Sequence, residues 1–369
     1  MSATKQTLEL GDGKFSHNQI AATLSRKIQQ LIILPTERCN FRCTYCYEDF
    51  LIGKMKEAVQ VSVERFMARR IPELRQLSIE WFGGEPLVAK DVVLRLSAYA
   101  NRTCADHGVN FSGGMTTNAY LLDFALFEEL LSYGQRSYQI TLDGWDGGHN
   151  AVRRLANGKG TFDRIWQNLV AMRQSDQCFS IVIRVHVRRD NHESVELLVD
   201  NLAQTFGSDN RFTLDFEHLR NLGGEGGKSV DRPLSLAELR EIEVGLRSRF
   251  NAAVAAAAAT VSPAPEQIGP AVADSSHGEG GASSVPESAP YICYAAKPNS
   301  LLIRADGRIG KCTVALSDDR NTIGRINPDG TIAIDNALLR PWVRGLANLD
   351  ESALACPLGG VMSGARISA

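Results

Sequence analysis

The sequence has no uninterrupted run of about 18 apolar residues, the length a membrane-spanning helix needs. An apolar export segment is missing too. Met1 to Gly13 is polar, so the expectation is a cytoplasmic protein. Charge of one sign is lacking: 40 basic residues face 42 acidic ones, a net of −2, which excludes the broad basic footprint of a nucleic-acid binder. Cysteines number eight in 369 residues, too few for a disulfide scaffold. In a reducing compartment such thiols serve as metal ligands, nucleophiles or small core residues, and spacing decides among these. The remainder, 44% apolar and 22% charged, is that of a globular protein long enough for about two domains.

Hydrophobic periodicity supplies the fold class. Leu31–Leu34 is a short apolar run ended by Pro35, a buried-strand signature. Val59, Val63, Phe66, Met67 and Ile71 then fall on one face of a helix. The alternation continues. Strands are expected at Leu77–Phe82, Val109–Thr116, Ser137–Leu142, Phe179–Val187 and Phe212–Glu217. Helices are expected at Asp91–His107, Leu122–Tyr133 and Thr161–Gln174, with a further one whose apolar face runs from Val195 to Phe206. Thr161 is a candidate N-cap, and Gly113-Gly114 a candidate bulge. Such alternation means parallel strands joined by right-handed crossovers, in a barrel-like or open α/β sheet. Chemistry in either gathers at the C-terminal ends of the strands.

Residues 251–290 differ in kind, with twelve alanines, five prolines, no aromatic residue and no lysine or arginine. They read as a mobile linker with an Ala-rich helical start. Beyond them, Asp306-Gly307 and Pro328-Asp329-Gly330 each separate two short apolar runs, the mark of two β-hairpins.

The spacing of the cysteines carries the chemistry. Cys39-Asn-Phe-Arg-Cys43-Thr-Tyr-Cys46 follows the first strand. A structural zinc site wants four ligands, usually from paired knuckles, and no second knuckle exists. A cubane iron–sulfur cluster accepts one thiolate per iron, so three thiolates leave one iron open.

This C-x3-C-x2-C, with Tyr45 before its last cysteine, resembles the radical S-adenosylmethionine superfamily. Four further stretches match in order across residues 31–225: Gly83-Gly84-Glu85-Pro86, Thr117-Asn118, Thr141-Leu142-Asp143-Gly144, and His149 to Arg153 followed by Gly160-Thr161-Phe162. The resemblance implies a partial (β/α)6 barrel. It also implies a [4Fe–4S] cluster on Cys39, Cys43 and Cys46, with S-adenosylmethionine chelating the open iron. Reductive cleavage would then give a 5′-deoxyadenosyl radical, with the electron coming from a donor such as flavodoxin or ferredoxin. Tyr45, Gly83, Gly84, Glu85, Pro86, Asn118, Thr141, Asp143 and Arg153 are the cofactor-binding residues that it implies.

Cys293, Gly307 and Cys312 are spaced C-x13-G-x4-C, which resembles the opening of a SPASM or twitch domain. Only Cys356 follows, so a full seven-cysteine set is excluded by counting. One auxiliary [4Fe–4S] cluster on Cys293, Cys312 and Cys356 and a degenerate domain with packed thiols are both open readings. The expected organisation is an extension at 1–30, the barrel at 31–225, a bridging helix and linker at 226–290, and a small β-hairpin-rich domain at 291–369. Cys104 and Cys178 read as core residues.

Arg184 and His186 share one face of the fifth strand, and Asp215 and Glu217 one face of the sixth. Arg184 and His186 are candidates for cofactor contact. Asp215 and Glu217 are candidates for a general base, with an ion-pair network as the alternative. Gly223 to Gly227 lacks the Lys-Ser/Thr of a phosphate loop and reads as a flexible exit loop. The expected function is that of a peptide maturase acting on a ribosomally made peptide or protein side chain, by a cyclophane or thioether crosslink. A sulfatase-maturating formylglycine-forming enzyme and a non-catalytic metal-binding module are the alternatives.

Overall fold

A computed structural model describes residues 15–260 and 290–363. After α1 (His17–Leu24), six strands alternate with helices: β1 (Ile28–Ile33), α2 (Glu57–Arg70), β2 (Gln76–Trp81), α3 (Lys90–Asp106), β3 (Asn110–Thr117), α4 (Phe124–Ser132), β4 (Gln135–Thr141), α5 (Gly147–Val152), α6 (Phe162–Met172), β5 (Ser180–Val187), α7 (His192–Phe206) and β6 (Phe212–His218). Then come α8 (Gly224–Gly227), α9 (Leu236–Thr260), β7 (Ser300–Ile303), β8 (Arg308–Gly310), β9 (Gly324–Ile326), β10 (Ile332–Ile334), α10 (Asn336–Val343), α11 (Glu351–Ala355) and α12 (Leu358–Met362).

The ten strands among the described residues form one sheet, ordered β10-β9-β8-β7-β1-β2-β3-β4-β5-β6. From β7 through β1 to β6 neighbours run parallel, and β7 to β10 pair antiparallel as the two expected hairpins. The sheet is not closed: β6 and β10 are its edges. The register shifts at Gly113/Gly114, where the bulge was expected.

Period-two patterning sorts the side chains. Ile79, Trp81, Met115, Ile140, Ile183 and Val185 are buried under the helices in the main core. The opposite face carries Glu80, Thr116, Gln139, Thr141, Arg184, His186, Asp215 and Glu217, which the register sets side by side. This concave face is polar along β2 to β6. At β1 it turns apolar, because Ile32 and Leu34 pack with Leu302 of β7 and Leu316. A strand flanked on both sides and covered on both faces reads as the continuous apolar run seen here.

Some expectations need correction. Thr161 stands at the N-cap position of α6 as expected, but its side chain makes no capping bond: its hydroxyl donates to the Arg153 carbonyl and meets His149 Nε2. Cys104 is buried in α3, whereas Cys178, ahead of β5, is exposed. The glycine run at 223–227 is not a free loop. It makes the turn α8, and a Cβ at Gly226 would stand 2.4 Å from the Cys46 backbone. The Ala-rich start of 251–290 is the end of α9, and the mobility expected at 261–289 lies outside the described residues.

Candidate functional site

The loop that leaves β1 places Cys39, Cys43 and Cys46, all half-buried, at the C-terminal rim of the sheet. The Phe41 N–H donates to Cys39 Sγ at 3.3 Å. The Glu48 N–H donates to Cys46. Burial pushes all three thiols up, Cys46 to about 12. Holding three thiolates here therefore needs a nearby cationic group, beyond the N–H donors that already reach Cys39 and Cys46. Cys39 lies within electrostatic reach of the other two thiols. Among the described residues no three His, Cys, Asp or Glu converge to chelate a single ion. Three soft donors on one loop, with N–H groups on the sulfurs, fit a cubane cluster.

The second rim segment is packed against this loop by backbone. A Cβ at Gly84 would stand 2.6 Å from the carbonyls of Glu37 and Arg38, so only glycine fits. The Glu85 N–H donates to the Arg38 carbonyl at 3.0 Å. The Glu85 side chain is fully buried. It accepts from Thr117 Oγ1 at 2.7 Å, Asn118 N at 2.7 Å and Leu87 N at 3.0 Å. Burial raises this carboxyl, and these donors oppose the rise. Glu85 thus ties the rim of β2 to that of β3, and Pro86 opens the turn behind it. Asn118 in turn donates to Asn40 Oδ1 at 2.8 Å, beside Cys39.

Asp143 is the hub of the third segment. Its carboxylate accepts from the Tyr45 hydroxyl and from His186 Nδ1 at 2.9 Å. Arg153 Nη1 donates to the Tyr45 oxygen at 2.7 Å. Burial alone would raise Asp143, but His186, Arg153 and His149 hold it well below the usual carboxylate range. Burial, then the charge of Arg153, lowers His149 to about 3, so this imidazole is neutral. Its Nδ1 receives the Asp143 N–H at 3.3 Å and its Nε2 faces Thr161. The H-x3-R and G-T-F stretches therefore meet on one buried network, which aims Tyr45 from the cysteine loop.

Arg184 donates to Asp215 Oδ2 from Nε at 2.7 Å and pairs with it from Nη2 at 2.6 Å. Glu217, next to His186 in register, lies within electrostatic reach of His218. Glu80 was missed in the sequence. It projects from β2 onto the same concave face, and burial raises it to about 7. The signal was available, since Ser78 and Glu80 alternate with Leu77, Ile79 and Trp81 as Arg184 and His186 do with their neighbours.

The C-terminal cysteines also gather. The Cys293 N–H donates to the Leu354 carbonyl at 2.9 Å, and Cys312 lies within electrostatic reach of both Cys293 and Cys356. Lys311, fully buried beside them, donates to the carbonyls of Lys297 and Ser300. Between this region and the end of β6 lies a cleft of about 460 Å³, walled by Tyr47, Glu48, Asp49, Leu222, Leu316 and Met362 among others.

The family model described as the Radical SAM superfamily matches residues 33–202. A probable GTP 3',8-cyclase of Archaeoglobus fulgidus is 30% identical over 145 residues, covering 36% of this chain and 44% of that protein. Native anSMEcpe with bound AdoMet and Cp18Cys peptide is similar in fold, with a TM-score of 0.58 and 17% identity over 86% of this chain and 83% of the other. Streptococcus suis SuiB bound to precursor peptide SuiA gives a TM-score of 0.57 and 16% identity over 93% and 73%. This chain spans less than two thirds of the length of the first curated relatives that it matches, for example 63% of a GTP 3',8-cyclase of Staphylococcus carnosus.

Proposed function

Residues 33–202 are a Radical SAM domain, and from that premise we propose that the protein modifies a ribosomally made peptide or protein side chain, forming a cyclophane or thioether crosslink. The family's [4Fe–4S] cluster and S-adenosylmethionine supply a carbon radical that abstracts hydrogen from the substrate. Cys39, Cys43 and Cys46 would hold the cluster. The backbone of Gly83 to Pro86, with Asn118, Thr141, Asp143, Arg153, Arg184 and His186, would position S-adenosylmethionine on the concave face. Tyr45 is fixed there by Asp143 and Arg153. Glu217 would take a proton released after abstraction. Asp215 orients Arg184.

The observation that carries the peptide reading is the cleft in the gap of the open sheet, bordered by the loop that bears Cys46 and by the C-terminal segment. The two solved neighbours are described with peptides bound. A nucleoside triphosphate, the substrate class suggested by the curated relatives, fits this gap poorly, because Glu48 and Asp49 border it and its one cation, Arg304, is already paired with Glu37. An auxiliary cluster on Cys293, Cys312 and Cys356 is part of the proposal, as is a soluble electron donor.

The test is anaerobic incubation of the reconstituted enzyme with S-adenosylmethionine, dithionite and peptides encoded beside its gene. A crosslink removes two hydrogen atoms and leaves no aldehyde, whereas formylglycine is trapped by a hydrazide. Absence of 5′-deoxyadenosine would reduce the protein to a metal-binding module.

A further inference from the structure

The cleft has a charge pattern that the chemistry above does not use. Four carboxylates and one guanidinium border it. Glu37 is already matched by Arg304, which donates to both its oxygens at 2.7 and 2.8 Å. Asp318 accepts from Arg320. Among the described residues Asp49 accepts only a neutral donor, Ser317 Oγ, at 2.6 Å. Glu48 is the exception. Its Oε2 is shut off from solvent and has no hydrogen-bond partner among the described residues.

A buried carboxyl oxygen without a donor is destabilised unless the group is protonated or a cation or hydrogen-bond donor meets it. A cationic occupant would meet it, because Arg304 is hydrogen-bonded to Glu37 and reaches Glu48 only as a nearby charge. A bare metal ion fits poorly: no three acidic, histidine or cysteine side chains among the described residues converge for one. The cleft, at about 460 Å³, is also far larger than a single ion. Leu222, Leu316 and Met362 give it apolar walls beside the carboxylates, the surroundings that a methylene stem with a charged head prefers. The Glu48 N–H meanwhile donates to Cys46, so whatever Glu48 grips is held next to the cysteine loop.

We propose that this cleft is a specificity site for a cationic side chain of the substrate, a lysine ammonium or an arginine guanidinium, with Glu48 as its counter-ion and Asp49 in support. The proposal rests on the peptide reading. It goes further by naming a residue class that the substrate must carry beside the modified position.

The probes are N-acetyl amides of lysine and arginine, set against those of norleucine and citrulline, their neutral near-isosteres. Binding to the reconstituted full-length chain is followed by ligand-observed NMR. The cationic amides should bind about tenfold tighter than the neutral ones, and Glu48→Gln should erase that preference. The lysine and arginine arms show which head group is taken. Equal binding of charged and neutral amides to the wild type overturns the proposal, and this comparison needs no variant. Should Glu48→Gln fail to fold, Asp49→Asn must still reduce the preference, and an unchanged preference there counts against the site. The two readings separate cleanly. Cation binding without modification of any peptide keeps the site and removes the maturase, whereas modification of a peptide free of lysine and arginine does the reverse.

Discussion

The guanidinium of Arg304 meets the carboxylate of Glu37 through two parallel hydrogen bonds, at 2.7 and 2.8 Å, with both side chains buried. This one contact ties the segment leading to Cys39 to the strand β7 that follows the 261–289 stretch. Breaking a buried pair from one side strands the other charge. Arg304→Met should therefore cost about 3–5 kcal/mol. The double change Glu37→Met with Arg304→Met should cost less than Arg304→Met alone. Urea unfolding of the three proteins decides it.

Gly84→Ala should be more damaging than its size suggests. The added methyl would meet two backbone carbonyls of the cysteine loop, which have nowhere to go. The expected result is protein that retains less iron after reconstitution and has a lowered melting temperature. Gly53→Ala, where nothing lies within 4 Å of the new methyl, should behave as wild type.

The share of stability that depends on His149 should fall on mild acidification, while Glu80, raised to about 7, pulls the other way. His149 is held at about 3, against about 6.5 in an unfolded chain, so below about pH 6.5 the unfolded state takes up a proton that the fold refuses. That lost stability grows as the pH falls toward about 3, by at most about 1.4 kcal/mol per pH unit. Asp143, held low, adds its own loss only in the acid range, as the pH drops below the ordinary carboxylate value. Between about pH 7 and about pH 5 the denaturant midpoint of the wild type should lose ground, as the pH falls, relative to that of His149→Gln, and a constant difference between the two would count against this reading.

Changing Cys39, Cys43 or Cys46 to Ala should abolish reductive cleavage of S-adenosylmethionine, and wild-type 5′-deoxyadenosine formation by any of these variants would contradict the assignment. Iron analysis tests the C-terminal thiols. One auxiliary cubane gives about eight irons per chain, falling to about four when Cys293, Cys312 and Cys356 are all Ala. A wild type that holds about four irons and still modifies peptide makes the C-terminal segment a clamp alone.

Much of this was legible before any coordinates. The alternation of strands and helices follows from periodicity, because each strand has one face under helices, and the cysteine loop from spacing alone. The Asp306-Gly307 and Asp329-Gly330 turns announced both hairpins. What stayed hidden depends on contacts far apart in sequence. Nothing local tells that β7 pairs with β1, or that the glycines at 224 and 226 are required by the backbone of Tyr47 and Cys46. Cys178 was misread because a lone thiol before a strand carries no sign of which side of the turn it faces. Glu48 and Glu80 escaped notice because their importance lies in what surrounds them, not in any motif.

The pairing of β7 with β1 has a mechanical consequence. Four residues of β1 are in register with four of β7, while the other edge of β1 is in register with β2 along its whole length. The two halves of the sheet are thus riveted through a strand whose last three residues are buried. Prising them apart to admit a long substrate would mean tearing a row of main-chain bonds at the centre of the plate. On the peptide reading proposed above, entry is managed by rim loops and side chains around Glu48. In deuterium exchange, the amides of Leu31 to Ile33 should be the last to yield.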